Sequence, residues 1–463
     1  MAPMGERASR FERTDATRFA FVMQIALVAS FTILSGCATY NEELANVRIN
    51  ADAGAYPEAL DQLNDMLGVS SINEVPDSWK GNRPLATLER AILLQAEGEY
   101  ALSARDLGGA ETELEMLDIG TDVAGEIGKY VYSDSSADYV ASPIERLALN
   151  GLNIANYLAL GDLGGAAVES RRYTNMRDYL ASVQLEASGS FGAYLAGFTF
   201  EHLGEGDRAL RYYEEALENG QLDSLVAPIS RLAQFHPYRG PRIRAAVEAG
   251  GEPGGSRSKR PSEILTVFAL GRVPHKEPKR IPIGAAVGIA GSWISGNASV
   301  LEYSILKVVV YPELVDSGYL ARQASLKIDG QPRKIERISN LGNDIQREYE
   351  LVKPRIIGAA LSRMIARAAA AEGARVAGNQ AGSAGSVVGL LAALATEGTL
   401  VALDLPDTRS WTFLPDQIEI ARTPVSAGEH QLEIQIPGAG ESRSVAVNVP
   451  EGGFAVVVVT VPR

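Results

Sequence analysis

Apolar residues recur at three- and four-residue spacing through most of residues 41–235, as in Leu60, Leu63, Leu67 and in Leu88, Ile92, Leu93. That period belongs to helices that bury one face, so the first half of the chain is predicted to be all-α. Three stretches each read as two amphipathic helices around a break rich in small residues. Leu88 to Leu117 breaks at Gly98-Glu99-Tyr100, Leu147 to Leu180 at Leu160-Gly161-Asp162-Leu163, and Tyr194 to Leu217 at Leu203-Gly204-Glu205-Gly206-Asp207. Tyr56-Pro57-Glu58-Ala59-Leu60 reads as the second helix of a further, incomplete unit. The Ser-, Asp- and Tyr-rich stretch Tyr130 to Pro143 interrupts the pattern as an inserted loop or short hairpin.

The pattern changes after His236-Pro237. Residues 237–262 carry Gly250 to Pro261, rich in Gly, Ser and Pro, and are predicted to be a linker. Beyond it the runs become short and β-rich: Ile264 to Leu270, Ser304 to Val310, Ile418 to Ile420, His430 to Ile436, Val445 to Val449 and Phe454 to Val461. Ala324 to Ile328 and Arg333 to Ile338 flank Asp329-Gly330, which reads as a hairpin turn. Pro354 sits where a helix can start, and the Ala-rich run to Glu372 continues it. Ser386 to Thr396 reads as a second short helix. The expected fold class is therefore α+β and multidomain. An all-α helical repeat region (37–236) and a linker (237–262) precede a mixed region (263–463) ending in a small antiparallel β-sheet or sandwich. The paired helices with a Gly at the turn resemble tetratricopeptide repeats, although the breaks are unequally spaced.

The N-terminus carries a processing signal. Arg7, Arg10, Arg13 and Arg18 precede an apolar run from Phe19 to Leu34, too short for the roughly 20 residues a membrane span requires. It ends at Leu34-Ser35-Gly36-Cys37, which resembles the bacterial lipobox. That resemblance implies cleavage of residues 1–36 and acylation of Cys37, the only cysteine in the chain. With one cysteine there is neither an internal disulfide nor a Cys-based metal site. Several buried acyl chains, at about 0.8 kcal/mol per methylene, would hold the mature chain on a membrane almost permanently. Ala38 rather than Asp follows the cysteine. By resemblance to the lipoprotein sorting rule this points to the outer membrane and its periplasmic face, with display at the cell surface as the alternative.

Charge sharpens the picture. Residues 37–236 hold 13 basic against 32 acidic side chains, whereas residues 237–463 hold 26 against 22. An acidic helical half repels phosphates, so no nucleic-acid partner is expected there. Chemistry is sparse. The four histidines (His202, His236, His275, His430) show no His-x-x-x-His pairing, and no nucleophile elbow or phosphate loop occurs. His202 and the pair Glu214-Glu215 read as solvated helix-surface groups. No cofactor or metal is expected, and enzyme is the minority reading. Two glycine-rich apolar stretches, Ile281 to Ile294 and Val387 to Leu405, fall short of a membrane span.

Several segments together resemble an uncharacterised family of bacterial lipoproteins containing tetratricopeptide repeats. They are Gly271 to Lys276 with Ile281-Pro282-Ile283, Pro354 to Ile357, Asp407 to Trp411 with Leu414-Pro415, and Ala427 to His430. Members are often encoded near lipoproteins similar to curli-secretion channels and to penicillin-binding-protein activators. The resemblance implies location and architecture and supplies no catalytic residues. The expectation is thus a non-enzymatic, membrane-anchored scaffold for an envelope protein partner. An envelope hydrolase or glycan-binding lipoprotein is the first alternative. A secretion-pore subunit, using residues 281–310 or 376–405 as an amphipathic hairpin, is the second. Arg409 and Trp411 are candidate interaction residues, because Trp and Arg dominate hot spots when partly exposed; burial of Trp411 at the junction between the helices and the terminal sheet is the favoured alternative. Tyr157, Tyr194 and Tyr213 are candidate groove contacts of the helical array, with core packing the favoured alternative for each.

Overall fold

Four helix pairs form because the same turn recurs at four glycines. In the computed structural model, α1 (Tyr40–Asp52) and α2 (Tyr56–Leu67) form the first pair, α3 (Arg83–Ala96) and α4 (Tyr100–Glu113) the second. α5 (Pro143–Ala159) and α6 (Leu163–Ser182) form the third, and α7 (Ser190–His202) and α8 (Gly206–Ala216) the fourth. Each pair is joined around a glycine in the left-handed region: Gly54 (φ 76°), Gly98 (84°), Gly161 (72°) and Gly204 (79°). The amide of the following residue reaches back five positions: Ala55 to Asn50, Glu99 to Leu94, Asp162 to Tyr157 and Glu205 to Phe200, at 2.8–2.9 Å. This is a Schellman closure, which satisfies carbonyls left open at the helix end and requires a residue without a Cβ penalty. The segment Tyr56 to Leu60, expected to belong to an incomplete unit, is therefore the second helix of a complete pair.

The structure describes residues 40–116, 138–183, 189–250, 260–295, 308–318, 323–380 and 406–463. The expected leader, Cys37, and the stretch Ser386 to Thr396 expected as a short helix lie outside them. Residues 44–463 form one compact unit. Of residues 1–43, only 40–43, at the start of α1, are described.

Before α5, a two-residue strand β2 (Val140–Ala141) pairs in parallel with β1 (Glu115–Met116). Ser142 then caps α5: its side chain takes the amide of Glu145, whose carboxylate takes the amide of Ser142, with Pro143 in the first turn. Helices α9 (Asp223–Ala233) and α10 (Pro241–Gly250) follow. The expected linker thus contains a helix, anchored by the fully buried Ile243, and Ser262 already opens a strand.

Two four-stranded sheets face each other. The first runs in the order β12 (Phe454–Val461), β3 (Ser262–Leu270), β9 (Gln417–Val425), β8 (Glu336–Asn340). The second runs β11 (Glu441–Val449), β10 (Gly428–Ile436), β6 (Ser325–Ile328), β7 (Gln331–Arg333). All pairings are antiparallel except β12 with β3, which is parallel with Val457 opposite Thr266. Ile264, Phe268, Val457, Val459, Leu326, Leu432 and Ile434 fill the space between the sheets. Every residue of β3 is buried, because the other face of its sheet is covered by the helices. Continuous apolar runs in β3 and β12 follow from that double burial.

The hairpin at Asp329-Gly330 is present, with both residues at positive φ (53° and 77°), as a tight two-residue turn demands. The expected second strand, Arg333 to Ile338, is split. β7 stays with β6, while β8 crosses to the other sheet and pairs with β9. β4 (His275–Pro282) and β5 (Val308–Val315) form a separate antiparallel hairpin. It packs with the short helix α11 (Ile283–Ala290) on α12 (Leu341–Gln380) through Ala286, Ala290, Val309, Tyr311, Ile357 and Leu361. α12 is 40 residues long and contains Pro354 in its interior rather than at its start. Proline there removes one backbone bond, and packing of the following turns against the hairpin holds the helix together.

Candidate functional site

A cleft with about 920 Å³ of empty space, its open mouth included, lies where the helical array, the β4–β5 hairpin, α12 and residues 407–411 meet. Val273, Pro274, Pro312, Leu314, Ile345, Val352 and Ile356 give it an apolar lining. Among them stand Tyr139, Ser142, Glu145, Lys276, Glu348, Asp407, Arg409, Ser410 and Trp411, with Glu348 on the same face of α12 as Ile345 and Val352. Three segments distant in sequence, 273–276, 345–356 and 407–411, converge on it.

The α5 N-terminus organises the polar side. Its exposed amides attract carboxylates. Glu145 takes the Ser142 amide at 2.8 Å, the Tyr139 hydroxyl at 2.7 Å and the Trp411 amide at 3.3 Å. Glu348, from α12, accepts the Ile144 amide at 3.0 Å. Burial pushes the Glu348 carboxyl up to about 7, only partly opposed by Ser142 and the Ile144 amide, and the neighbouring Glu145 adds to the rise. Asp407 is pushed up by burial, but Arg409 more than offsets this and holds it below the usual carboxylate range. The Arg409 guanidinium donates to both Asp407 oxygens, at 2.8 and 2.7 Å, and to the Asn82 side-chain oxygen at 3.1 Å. The Trp411 side chain is fully buried, and its indole N–H has no acceptor.

Arg409 and Trp411 thus line the cleft, but neither is an exposed hot spot: Arg409 is buried and serves the Asp407 pair. The three tyrosines proposed as groove contacts are placed differently. Tyr194 and Tyr213 have no exposed surface. The Tyr213 hydroxyl donates to Glu201 and receives Arg422 at 3.0 Å, and Tyr194 donates to Ser224. Tyr157 is half-buried, and its ring covers the α6 backbone at Gly165. All three serve packing within the array, because the face carrying Tyr194 and Tyr213 is turned toward the sheet.

A second polar cluster ties α7 to that sheet. Arg422 on β9 donates to Glu201 at 3.0 Å and to both oxygens of Glu263 at 2.7 and 2.8 Å. His202 meets Glu263 at 2.8 Å, with both side chains nearly inaccessible. His202 is therefore an interior residue, and burial holds its pKa below the usual value against the pull of Glu263. Burial pushes Glu201 and Glu263 up, but Arg422 overcomes that and keeps both below the usual carboxylate range. Glu214, expected on a solvated face, is buried and accepts the Arg242 and Ile243 amides at 3.0 Å, capping α10. Beside it, burial pushes Glu215 up to about 7.

Sequence reasoning missed Tyr139, Glu145, Lys276, Glu348 and Tyr349 as cleft residues. The Ser142-x-x-Glu145 capping box was a legible signal for one of them; Glu348 carries none, since it is one acid on a mixed helix. Among the described residues, no three His, Cys, Asp or Glu side chains are grouped so as to hold a metal ion. No described helix is long and apolar enough to cross a membrane. Much of the two segments considered for a pore hairpin, residues 296–307 and 381–405, lies outside the described residues. Comparison of the chain with protein-family models, with curated proteins and with solved structures finds no match.

Proposed function

We propose that this protein is a lipid-anchored scaffold of the bacterial envelope that holds a segment of a partner protein in the cleft beside the α5 N-terminus. The leader and Cys37 place it on the membrane; the tetratricopeptide-like helix pairs and the sheets supply a rigid body. The observation that carries the reading is the make-up of the cleft. Most of the side chains from residues 273–274, 312–314 and 345–356 that line it are apolar, which suits side chains of a docked segment. Of the polar groups among them, Glu145 holds three donors and Asp407 is paired with Arg409. Groups committed to holding the fold are poor acids, bases or nucleophiles.

The test uses the tagged full chain recovered from detergent-solubilised envelopes. A partner that co-purifies with wild type and is lost from Leu314→Arg, while the variant unfolds at the same temperature, supports the reading. A Leu314→Arg variant that retains every partner overturns it. Fatty-acid labelling that persists in Cys37→Ala overturns the anchor independently.

A second reading has its own observation. Three carboxylates, Glu145, Glu348 and Asp407, share one cleft, and Glu348, near 7, lies where a general acid works best. This favours an envelope hydrolase or glycan-binding protein. Cleavage of cell-wall glycan strands that disappears in Glu348→Gln would establish it in place of the scaffold.

A further inference from the structure

We infer that the tip of the β4–β5 hairpin with α11 is a docking surface for a membrane carrying anionic headgroups. The eight residues of α11, Ile283-Gly-Ala-Ala-Val-Gly-Ile-Ala290, contain no polar side chain, yet only Ala286 and Ala290 are buried. Val287, Ile289 and the adjoining Val308 keep 37%, 41% and 39% of their surface exposed. A helix apolar on every side needs an apolar surrounding on every side, and here α12 supplies only one.

The edge of this patch is basic and aromatic. From His275 to Ser295 the basic residues are Lys276, which lines the cleft, Lys279 and Arg280, against the acid Glu277, and Glu313 on the paired strand β5 takes Lys279 at 3.7 Å. Lys279 and Arg280 are exposed on β4, one strand turn from the tip. On the facing stretch of α12, Lys353 to Arg367 holds four basic residues and no acid, with Lys353 itself held by Glu313 at 3.0 Å and Glu350 at 3.5 Å. The Trp293 indole, half-buried, lies under the Arg355 guanidinium, 4.4 Å from its carbon to the ring centroid. An apolar tip, an indole at its margin and cations behind it form the arrangement that suits the boundary between acyl chains and negative headgroups. A protein partner would satisfy the apolar face but gives no reason for the exposed Arg280 beside it or for Arg355 over the indole.

The segment Trp293 to Ser295 is seated on α12. Trp293 sits directly on the α12 backbone, where a Cβ at Gly358 would lie 2.6 Å from the Trp293 carbonyl oxygen, and the Ser295 amide donates to Ser362 at 2.8 Å. Contact of this kind needs no acylation of Cys37.

The test uses the full chain carrying Cys37→Ala, so that acyl chains play no part. It is mixed with vesicles of phosphatidylglycerol and phosphatidylethanolamine, or of phosphatidylcholine alone, with brominated acyl chains that quench tryptophan on contact. The expected result is quenching on the anionic vesicles that disappears in Trp293→Phe. Val287→Asp with Ile289→Asp should weaken it at least about tenfold, since two exposed aliphatic side chains lose their burial in the bilayer. Sedimentation with vesicles without quenching of Trp293 would mean that the apolar leader alone binds, and would overturn the inference. Equal quenching on phosphatidylcholine would overturn the part assigned to anionic headgroups. Either failure leaves the lipoprotein reading standing.

Discussion

The carboxylate of Glu89, in the middle of α3, accepts the amide of Thr412 at 2.7 Å, across 323 residues of sequence. Its other oxygen takes the next amide, Phe413, at 2.8 Å. With Glu145 on the Trp411 amide, the helical array pins three successive backbone amides, 411 to 413, and Asn82 takes the Arg409 guanidinium just before them. That loop forms one wall of the cleft, so the helices shape the site although they contribute few of its lining residues.

Burial raises the Glu89 carboxyl from 4.5 to about 8, against the lowering pull of the Phe413 and Thr412 amides, so Glu89→Gln, which mimics the protonated form, should change stability little at neutral pH. Glu89→Ala leaves both amides without their acceptor and should cost about 1–3 kcal/mol for each. Urea unfolding monitored by circular dichroism measures this loss. An unchanged midpoint in Glu89→Ala would mean that the pin carries no stability.

Glu348 predicts a pH dependence with a definite sign. Burial raises its pKa from 4.5 to about 7, so the folded state binds a proton that the unfolded chain releases. Its stability contribution is full below pH 4.5 and is lost as pH climbs to 7. Glu348→Gln mimics the protonated form at every pH. The variant should match wild type near pH 4.5 and gain on it up to pH 8, by an amount on the order of 3 kcal/mol. Thermal unfolding of the two chains across that range gives the answer; parallel curves would contradict it.

Arg422 neutralises two buried carboxylates, Glu201 and Glu263. Arg422→Met should cost about 3–5 kcal/mol, because it leaves uncompensated charge in the interior. Tyr213→Phe removes one hydroxyl from the same cluster and should cost about 1–2 kcal/mol. Denaturant titration ranks the two, and the reverse order would show that the cluster is not held by its cation.

Two glycines of the array should fail for different reasons. Gly197 faces the Tyr213 ring, which the new Cβ of Gly197→Ala would strike. Overpacking there costs about 1–3 kcal/mol. Gly161 has open space around it but a φ of 72°, so Gly161→Ala should cost about 1–2 kcal/mol through backbone strain alone. Gly161→Asn should recover part of that loss, whereas Gly197→Asn should not.

The elements were largely legible. The breaks at Gly98, Gly161 and Gly204, the turn at Asp329-Gly330 and the runs of β3, β10 and β12 stand where periodicity and turn chemistry place them. The site was legible only in part. Arg409 and Trp411 stood out as residue types, but their surroundings did not, because those come from α3, α5 and α12. His202, Glu201 and Glu214 read as surface groups, since local sequence contains no sign of Arg422 or of the α10 amides that make their burial tolerable.

By itself the sequence determined local conformation: which segments coil, which extend, and where glycine closes a helix. These depend on neighbours a few residues apart, whose effects are written in spacing. Tertiary structure alone decided which helix faces meet the sheet, that β8 leaves β7 for β9, and that acids on α3, α5, α7 and α8 turn inward. Burying a carboxylate is favourable only once a cation or a row of amides stands opposite. Here those partners come from segments up to hundreds of residues away, which no local pattern can specify.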